Sequence, residues 1–384
     1  MKVIIATPIY LPEIGGPATY TKELCERLRD SHSIIVVAYT DVGMAMPGTQ
    51  LIQVSKQKPL LVRLVLYFFA LLKASHGADL VYVQNAMAAG LPAALACMIR
   101  RKPLVLKFVG DEAWERATQR RLTKKRLEEF LISPDGDWKI RMMMRVQGWV
   151  LRRAACVTTP SAYLSQELIK TYGVRPERTT VNYNAAEVTE VLPFEPTPPI
   201  PHQIAVTARL VAWKGVAGII RATSIVRKKF PDVRTIIAGD GPETDSLKKL
   251  SRNLGMDNSV SFLGKVSRAE TWHIRKKSSV YVLNSTYEGL PHTVLTSFAA
   301  QIPVIATDIS GTNEAVYHEK TGLLVRPGND AELANAIERL FTDAALCKKL
   351  TDGGTKLLKE KFSWEGHLAG LTSIFESVLA KPRN

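Results

Sequence analysis

Short apolar runs alternate with helix-patterned stretches along this chain, and the alternation runs through twice. In the first half Val3–Thr7, Ile34–Ala38, Leu80–Val83, Leu104–Phe108 and Val157–Thr159 are β-branched or apolar runs of strand length. Helical patterns such as Tyr20–Arg29 and Leu91–Arg100 lie between them, and Ser161 is placed to cap a helix running to Tyr172. In the second half Ile204–Thr207, Thr235–Ala238, Val260–Phe262, Val280–Leu283 and Val304–Ala306 alternate with Val216–Lys229, Glu243–Leu254, Ala269–Lys276, Thr293–Ala300 and Ala331–Phe341. Apolar strands separated by helices specify an α/β fold with parallel sheets covered on both faces. At 384 residues the chain exceeds one ordinary core and fits two such domains. Pro193–Pro201 holds five prolines and no strand pattern, so it reads as the linker. The domains are placed at 1–195 and 196–365, followed by an amphipathic helix from about 366 to 384.

The chemistry concentrates in the second domain. Tyr281–Leu283 reads as a buried strand, followed by a polar turn, Glu288-Gly289 and a helix. A carboxylate there stands at the carboxyl edge of a parallel sheet, where α/β folds bind ligands. The helix N-terminus beside it offers free backbone N–H groups to an anion. Carboxylate and anion cradle together suit a nucleotide sugar. Arg209 and Lys214 are spaced to reach one diphosphate from another strand-end loop, although ordinary surface charge would look the same. Glu288 could equally do no more than complement the helix dipole, and His292 could contact phosphate or merely cap. Gly239-Asp240-Gly241-Pro242 lacks the third glycine of the dinucleotide fingerprint and reads as a strand-end loop. In the first domain Gly15-Gly16 follows the first strand and permits close backbone approach.

Several of these segments, in order, carry a resemblance. They are Ala208-Arg209-Leu210 through Lys214-Gly215, Ile237–Pro242, Glu288 with its following helix, and Pro303–Asp308 with Gly311 and Glu314. They resemble the carboxyl-terminal half of the retaining group 1 (family 4) glycosyltransferases, the glycogen-synthase and mannosyltransferase type. The resemblance runs from Lys2 to about Phe375 and is strongest in 204–365. It implies the GT-B fold, two Rossmann-like domains facing a central cleft, with the last helix returning to the first domain. It implies Arg209 and Lys214 as diphosphate ligands and Glu288 as the first carboxylate of a Glu-x7-Glu signature, at the donor sugar. It implies substrate contacts at Gly15, Gly16, Gly239, Gly241, Val266, Gly289, Leu290, His292, Thr293, Val294 and Thr296. The second signature position holds Thr296 instead of Glu, which weakens the expected ribose contact. Val109 stands where the family has a histidine. Asp111 is then the polar candidate to orient the acceptor, ahead of Lys107 and Glu112, and it is equally placed to be an N-cap.

The implied activity is metal-independent, retaining hexosyl transfer from a nucleoside-diphosphate sugar, UDP favoured. The implied acceptor is a saccharide or lipid-linked molecule of polysaccharide or glycolipid synthesis. A non-catalytic scaffold of the same fold and a nucleotide-sugar 2-epimerase are the other readings. The epimerase needs a carboxylate and histidine set that the first domain does not show. Cys25, Cys97, Cys156 and Cys347 are widely spaced, and the seven histidines show no paired spacing. No metal site and no cofactor are therefore expected, and the thiols read as reduced ones of a cytoplasmic protein. Asp135-Gly136-Asp137 imitates a metal-binding Asp-x-Asp, but its Ser-Pro-Asp-Gly context reads as a turn. Met1–Tyr10 reads as the first strand and not as a signal peptide.

The net charge of +15 attracts polyanions. Six basic residues lie between Arg116 and Arg126, and Lys139, Arg141, Arg145, Arg152 and Arg153 follow. No aromatic-interleaved basic motif points to nucleic acid. Leu60–Leu72 is nearly all apolar but shorter than the roughly 20 residues a bilayer requires. It reads either as a buried helix or as a monotopic helix at an anionic membrane, with Lys56, Lys58, Arg63 and Lys73 meeting headgroups. The second reading makes the protein peripheral at the inner face of the membrane. Oligomeric state is not legible.

Overall fold

The structure, a computed structural model, describes residues 1–13, 15–186 and 198–381. The chain divides into two compact units: Met1–Asn182 with the chain from Ala369, and Tyr183–Leu368. The expected boundary at 195–196 and Pro193–Thr197 of the linker lie outside the described residues.

The first unit is a seven-stranded parallel sheet. Its strands are β1 (Lys2–Thr7), β2 (Ser33–Tyr39), β3 (Thr49–Val54), β4 (Leu80–Val83), β5 (Leu104–Lys107), β6 (Cys156–Thr159) and β7 (Thr179–Val181), in the order β3-β2-β1-β4-β5-β6-β7. The second unit holds β8 (Ile200–Thr207), β9 (Arg234–Ala238), β10 (Val260–Gly264), β11 (Ser278–Leu283), β12 (Val304–Thr307) and β13 (Leu323–Val325), in the order β10-β9-β8-β11-β12-β13. All the pairings are parallel. In both units the strand order reverses beside the first strand, the switch point at which doubly wound sheets bind ligands. Central strands such as β4 and β12 are buried along their whole length, as helices on both faces require.

Three strands are absent from the sequence expectation, the polar β3 and β7 and the three-residue apolar β13. β3, β7 and β13 are edge strands, and β3 and β7 are half-exposed with polar residues, so no apolar run announces them. One linker expectation is corrected: Ile200 and Pro201 open β8. Ile200 pairs with Ser278 and Ile204 with Val280, so two extra residues bulge out between them. The bulge holds Pro201, which has no N–H, and His202 at φ 55, which is how a proline enters this strand.

The final helix, Trp364–Ala380, packs Phe375 edge-on against Tyr82 of β4 at 5.5 Å. The helix Leu60–Ala74 differs from an ordinary core helix, because only Tyr67 and Leu71 are buried. The Tyr67 hydroxyl donates to the Thr7 and Val37 carbonyls, pinning the helix to β1 and β2.

Candidate functional site

Three strand ends of the second unit converge on Glu288. β8 ends at Thr207 and delivers Arg209. The chain then makes a short 3-10 turn, Ala212–Lys214, closed by Gly215 at φ 61. A Cβ at Gly215 would lie 2.0 Å from the Asn284 carbonyl, so only glycine lets the Lys214 turn approach the end of β11. The Asn284 amide donates to the Gly215 carbonyl at 2.9 Å, and Thr286 N–H donates to the Trp213 carbonyl at 2.7 Å. These bonds place Lys214 Nζ 2.5 Å from Glu288 Oε1. Ser285 Oγ donates to the same oxygen at 2.7 Å. Glu288 is only 8% exposed, so its charge is held by one cation and one hydroxyl in a largely dry setting. The Thr307 hydroxyl at the end of β12 donates to the Ser285 carbonyl and fixes the turn from its other side. Arg209 is exposed and makes no side-chain hydrogen bond or ion pair among the described residues.

The loop after β9 completes this edge. Gly239 has φ 142, and a Cβ there would meet the Ala208 carbonyl at 1.8 Å. Leu210 N–H donates to the Asp240 carbonyl at 3.0 Å, so Gly239–Gly241 lies against the Arg209 backbone. Hydrogen bonds from Thr244 and Gly241 N–H hold the Asp240 carboxyl below its usual range. The helix His292–Ala299 begins after Pro291 and carries Thr293, Val294 and Thr296. Leu290 and Val294 bury their side chains in the core, and the Val294 N–H donates to the Pro291 carbonyl at 2.9 Å. Val266 lies half-buried between β10 and the helix Arg268–Lys276. His292 Nε2 bonds the Ala185 carbonyl at 3.1 Å. The Thr296 hydroxyl donates back to the His292 and Thr293 carbonyls at 3.2 and 3.0 Å, leaving its lone pairs as acceptors.

Two family models match the chain: Glycosyl transferase 4-like domain over residues 15–185, and Glycosyl transferases group 1 over residues 192–357. This chain belongs to the group 1 glycosyltransferases. A lipopolysaccharide core biosynthesis glycosyltransferase, LpsD of Rhizobium meliloti, is 33% identical over 173 residues, 45% of this chain and 49% of that protein. The glycogen synthase of Mycobacterium tuberculosis is 27% identical over 227 residues, 59% of this chain and 55% of its own. The chain thus spans about half the length of these relatives. HepE of Anabaena, solved with UDP-glucose, superposes with a TM-score of 0.77 at 21% identity, covering 98% of this chain and all of that one. A sucrose-phosphate synthase from Thermosynechococcus elongatus gives 0.77 at 18% identity, covering 99% and 100%. These likenesses establish the GT-B fold of two Rossmann-like units.

Within this group 1 glycosyltransferase the first-unit candidates are placed differently. Gly15 is the N-cap of the helix Gly16–Leu28, in the loop that follows β1. Asp111 is 1% exposed and caps the helix Glu112–Gln119, accepting from Trp114 N–H at 2.8 Å. It also accepts from Gln147 at 2.7 Å and from the Tyr172 hydroxyl. All its partners are neutral, and burial pushes its carboxyl up. Of the two readings of Asp111, the geometry is that of the N-cap. Glu112 accepts from the N–H groups of Ala86 and Met87 at 3.1 Å, and burial pushes it up to about 7. Burial takes Lys107 down to about 7, with its ammonium 3.8 Å from the Tyr20 ring centre. Val109 is exposed. Asp135 binds Lys125 and Thr123, and Asp137 caps the helix Trp138–Arg153, so the Asp-x-Asp is a turn and a cap.

Sequence reasoning missed Ser285 and Asn284. The signal for Ser285 was its three-residue spacing from Glu288, at which a hydroxyl folds back onto a following polar group, whereas the Asn284 contact with Gly215 spans 69 residues and left none.

Proposed function

We propose that this protein is a retaining hexosyltransferase that takes its sugar from a nucleoside-diphosphate sugar, UDP-linked in the first instance. The observation that carries the reading is the Lys214–Glu288–Ser285 constellation at the edge of the second sheet, with exposed Arg209 on the neighbouring loop. Arg209, Lys214 and the N-terminus of the helix His292–Ala299 supply fixed positive charge to a diphosphate leaving group, so the reaction runs without a metal. Glu288 faces the sugar. The bond from the anomeric carbon to phosphate oxygen breaks as a bond to the acceptor hydroxyl forms on the same face. The acceptor proton passes to the departing phosphate. HepE was solved with UDP and with UDP-glucose, which supports the choice of UDP.

The acceptor we propose is a saccharide, lipid-linked and met at an anionic membrane on the cytoplasmic side. Leu61 is 75% exposed and Phe69 57%, with Leu60, Val62, Val65 and Leu66 also open on the same helix. The helix Gly90–Arg100 packs alongside and adds exposed Leu95, Met98 and Ile99. Lys58, Lys73, Arg100 and Arg101 are exposed beside these residues, and Asp79 is the only acid between Lys56 and Lys107. An apolar ridge with a basic rim suits a bilayer surface. Leu60–Gly77 is long and apolar enough to cross a membrane by length and composition, but the Tyr67 bonds to β1 and β2 favour a helix lying on the surface. The cluster Arg116–Arg126 contributes less than its sequence suggests, because Arg120 pairs with Asp137 and Lys125 with Asp135. Lys56 pairs with Glu13, and Arg63 lies over the Tyr39 ring.

The test is a donor-by-acceptor screen read by mass spectrometry, with vesicle sedimentation beside it. A glycosylated product from one donor is expected, as is salt-sensitive binding to anionic vesicles that Leu61→Asp and Phe69→Asp abolish. Neither transfer nor donor hydrolysis with any sugar nucleotide would leave the scaffold reading. Equal binding to neutral vesicles would remove the anionic membrane.

A further inference from the structure

Arg275 lies in the helix Arg268–Lys276 and is 5% exposed, yet no carboxylate among the described residues pairs with it. An unpaired buried guanidinium is costly, and an apolar side chain of similar volume would fill the space at lower cost. Its hydrogen bonds show what it does instead. The guanidinium donates to the Thr207 hydroxyl through one terminal nitrogen and to the Thr271 carbonyl at 3.2 Å through the other. Its Nε donates to Ser297 Oγ at 3.2 Å. Its Cζ lies 5.2 Å from the ring centre of Tyr281, whose hydroxyl donates to the Thr207 carbonyl at 3.2 Å.

Apart from the Thr271 carbonyl, one turn back on its own helix, each contact belongs to an element that delivers a donor-site residue. Thr207 ends β8, two residues before Arg209. Tyr281 lies in β11, which leads to Glu288. Ser297 follows Thr296 on the helix that presents its N-terminus, and its hydroxyl donates to the Thr293 carbonyl at 2.7 Å. We propose that Arg275 is a positioning residue that sets the spacing between the Arg209 loop and the helix His292–Ala299, and so tunes affinity for the diphosphate. This rests on the donor-site reading above. The planar fork supplies three bonds in fixed directions, which lysine cannot reproduce.

The experiment is calorimetric titration of the full chain with UDP, GDP and ADP, each variant held well below its own unfolding temperature. Arg275→Met is expected to weaken binding of the preferred diphosphate tenfold or more, and Arg275→Lys to restore little of it. A purely structural role would lower the melting temperature and leave the affinity of the folded variants within twofold of wild type, and that result overturns the proposal. Ser297→Ala cuts one arm without touching the buried charge and carries the test if Arg275→Met fails to fold. It is expected to bind threefold weaker or worse, and unchanged affinity overturns the proposal. Wild type binding none of the three diphosphates would overturn this proposal and the donor-site reading together. Wild-type binding with unaltered variants would overturn this one alone.

Discussion

Each unit carries acidic residues just past a strand, at the start of a helix or the turn leading to one, yet the two units treat them in opposite ways. Glu288 has Lys214 at 2.5 Å and a serine hydroxyl on the same oxygen. Asp111 is buried and Glu112 half-buried among neutral donors, the amide of Gln147, the hydroxyl of Tyr172 and backbone N–H groups. A cation beside a carboxylate offsets the cost of placing it in a dry setting. A carboxylate held only by neutral donors is pushed toward its protonated form and acts as a clip between loops. Position at a strand end therefore does not make a carboxylate functional. What distinguishes Glu288 is a compensating charge, supplied from 74 residues away.

The largest effect expected from this contrast is in stability against pH. Glu112 is raised to about 7 from an ordinary 4.5, so the folded state binds the extra proton and stability falls as pH rises between those values. Lys107 is lowered to about 7 from 10.5, so the unfolded state binds more protons and stability rises from about 7 upward. At about 1.4 kcal/mol per pK unit the Glu112 limb is on the order of 3 kcal/mol and the Lys107 limb on the order of 5 kcal/mol. Urea midpoints across pH should show Glu112→Gln flattening the lower limb and Lys107→Met the upper. An unchanged lower limb in Glu112→Gln would remove the distinction between the two kinds of carboxylate, and an unchanged upper limb in Lys107→Met would remove the buried amine. Next comes Asp111→Ala, which removes a cap and strands the Gln147 and Tyr172 donors. A loss of about 2 kcal/mol in unfolding free energy is expected, and a loss under half of that breaks the structural assignment.

Arg209→Ala and Lys214→Ala should each weaken donor use at least tenfold, about 1.4 kcal/mol. Near-normal turnover at limiting donor in both would detach the cations from the site. The smallest effect belongs to Thr296→Glu. Restoring a carboxylate is expected to tighten nucleotide binding by about 1 kcal/mol, and weaker binding would mean that the pocket is built around threonine.

The same contrast explains what the sequence made legible. Buried strands announced themselves, because β4 and β12 must be apolar on both faces, and Ser161 capped its helix as its spacing implied, accepting from Leu164 N–H at 3.2 Å. Half-exposed edge strands such as β3 carried no such signal. Arg209, Lys214 and Glu288 were visible as residue types on strand-end loops, and the ion pair between the last two is a tertiary fact that spacing cannot show. Asp111 offered the same local signal as a ligand and as a cap, and only its neutral partners separated the two. Arg275 was silent for a related reason. A basic residue in a short polar helix reads as surface, and its burial depends on Thr207 and Ser297 arriving from elsewhere.

The most direct test sets the two carboxylates side by side. Turnover of the preferred sugar nucleotide, and binding of its nucleoside diphosphate, are measured for Glu288→Gln and Asp111→Asn at a temperature where both are folded. Removing the charge that faces the transition state should cost Glu288→Gln 10²-fold or more in turnover, roughly 2.7 kcal/mol, with diphosphate binding nearly unchanged. Asp111→Asn should turn over within threefold of wild type. A tenfold or greater loss at Asp111 with a near-normal Glu288→Gln would contradict the account.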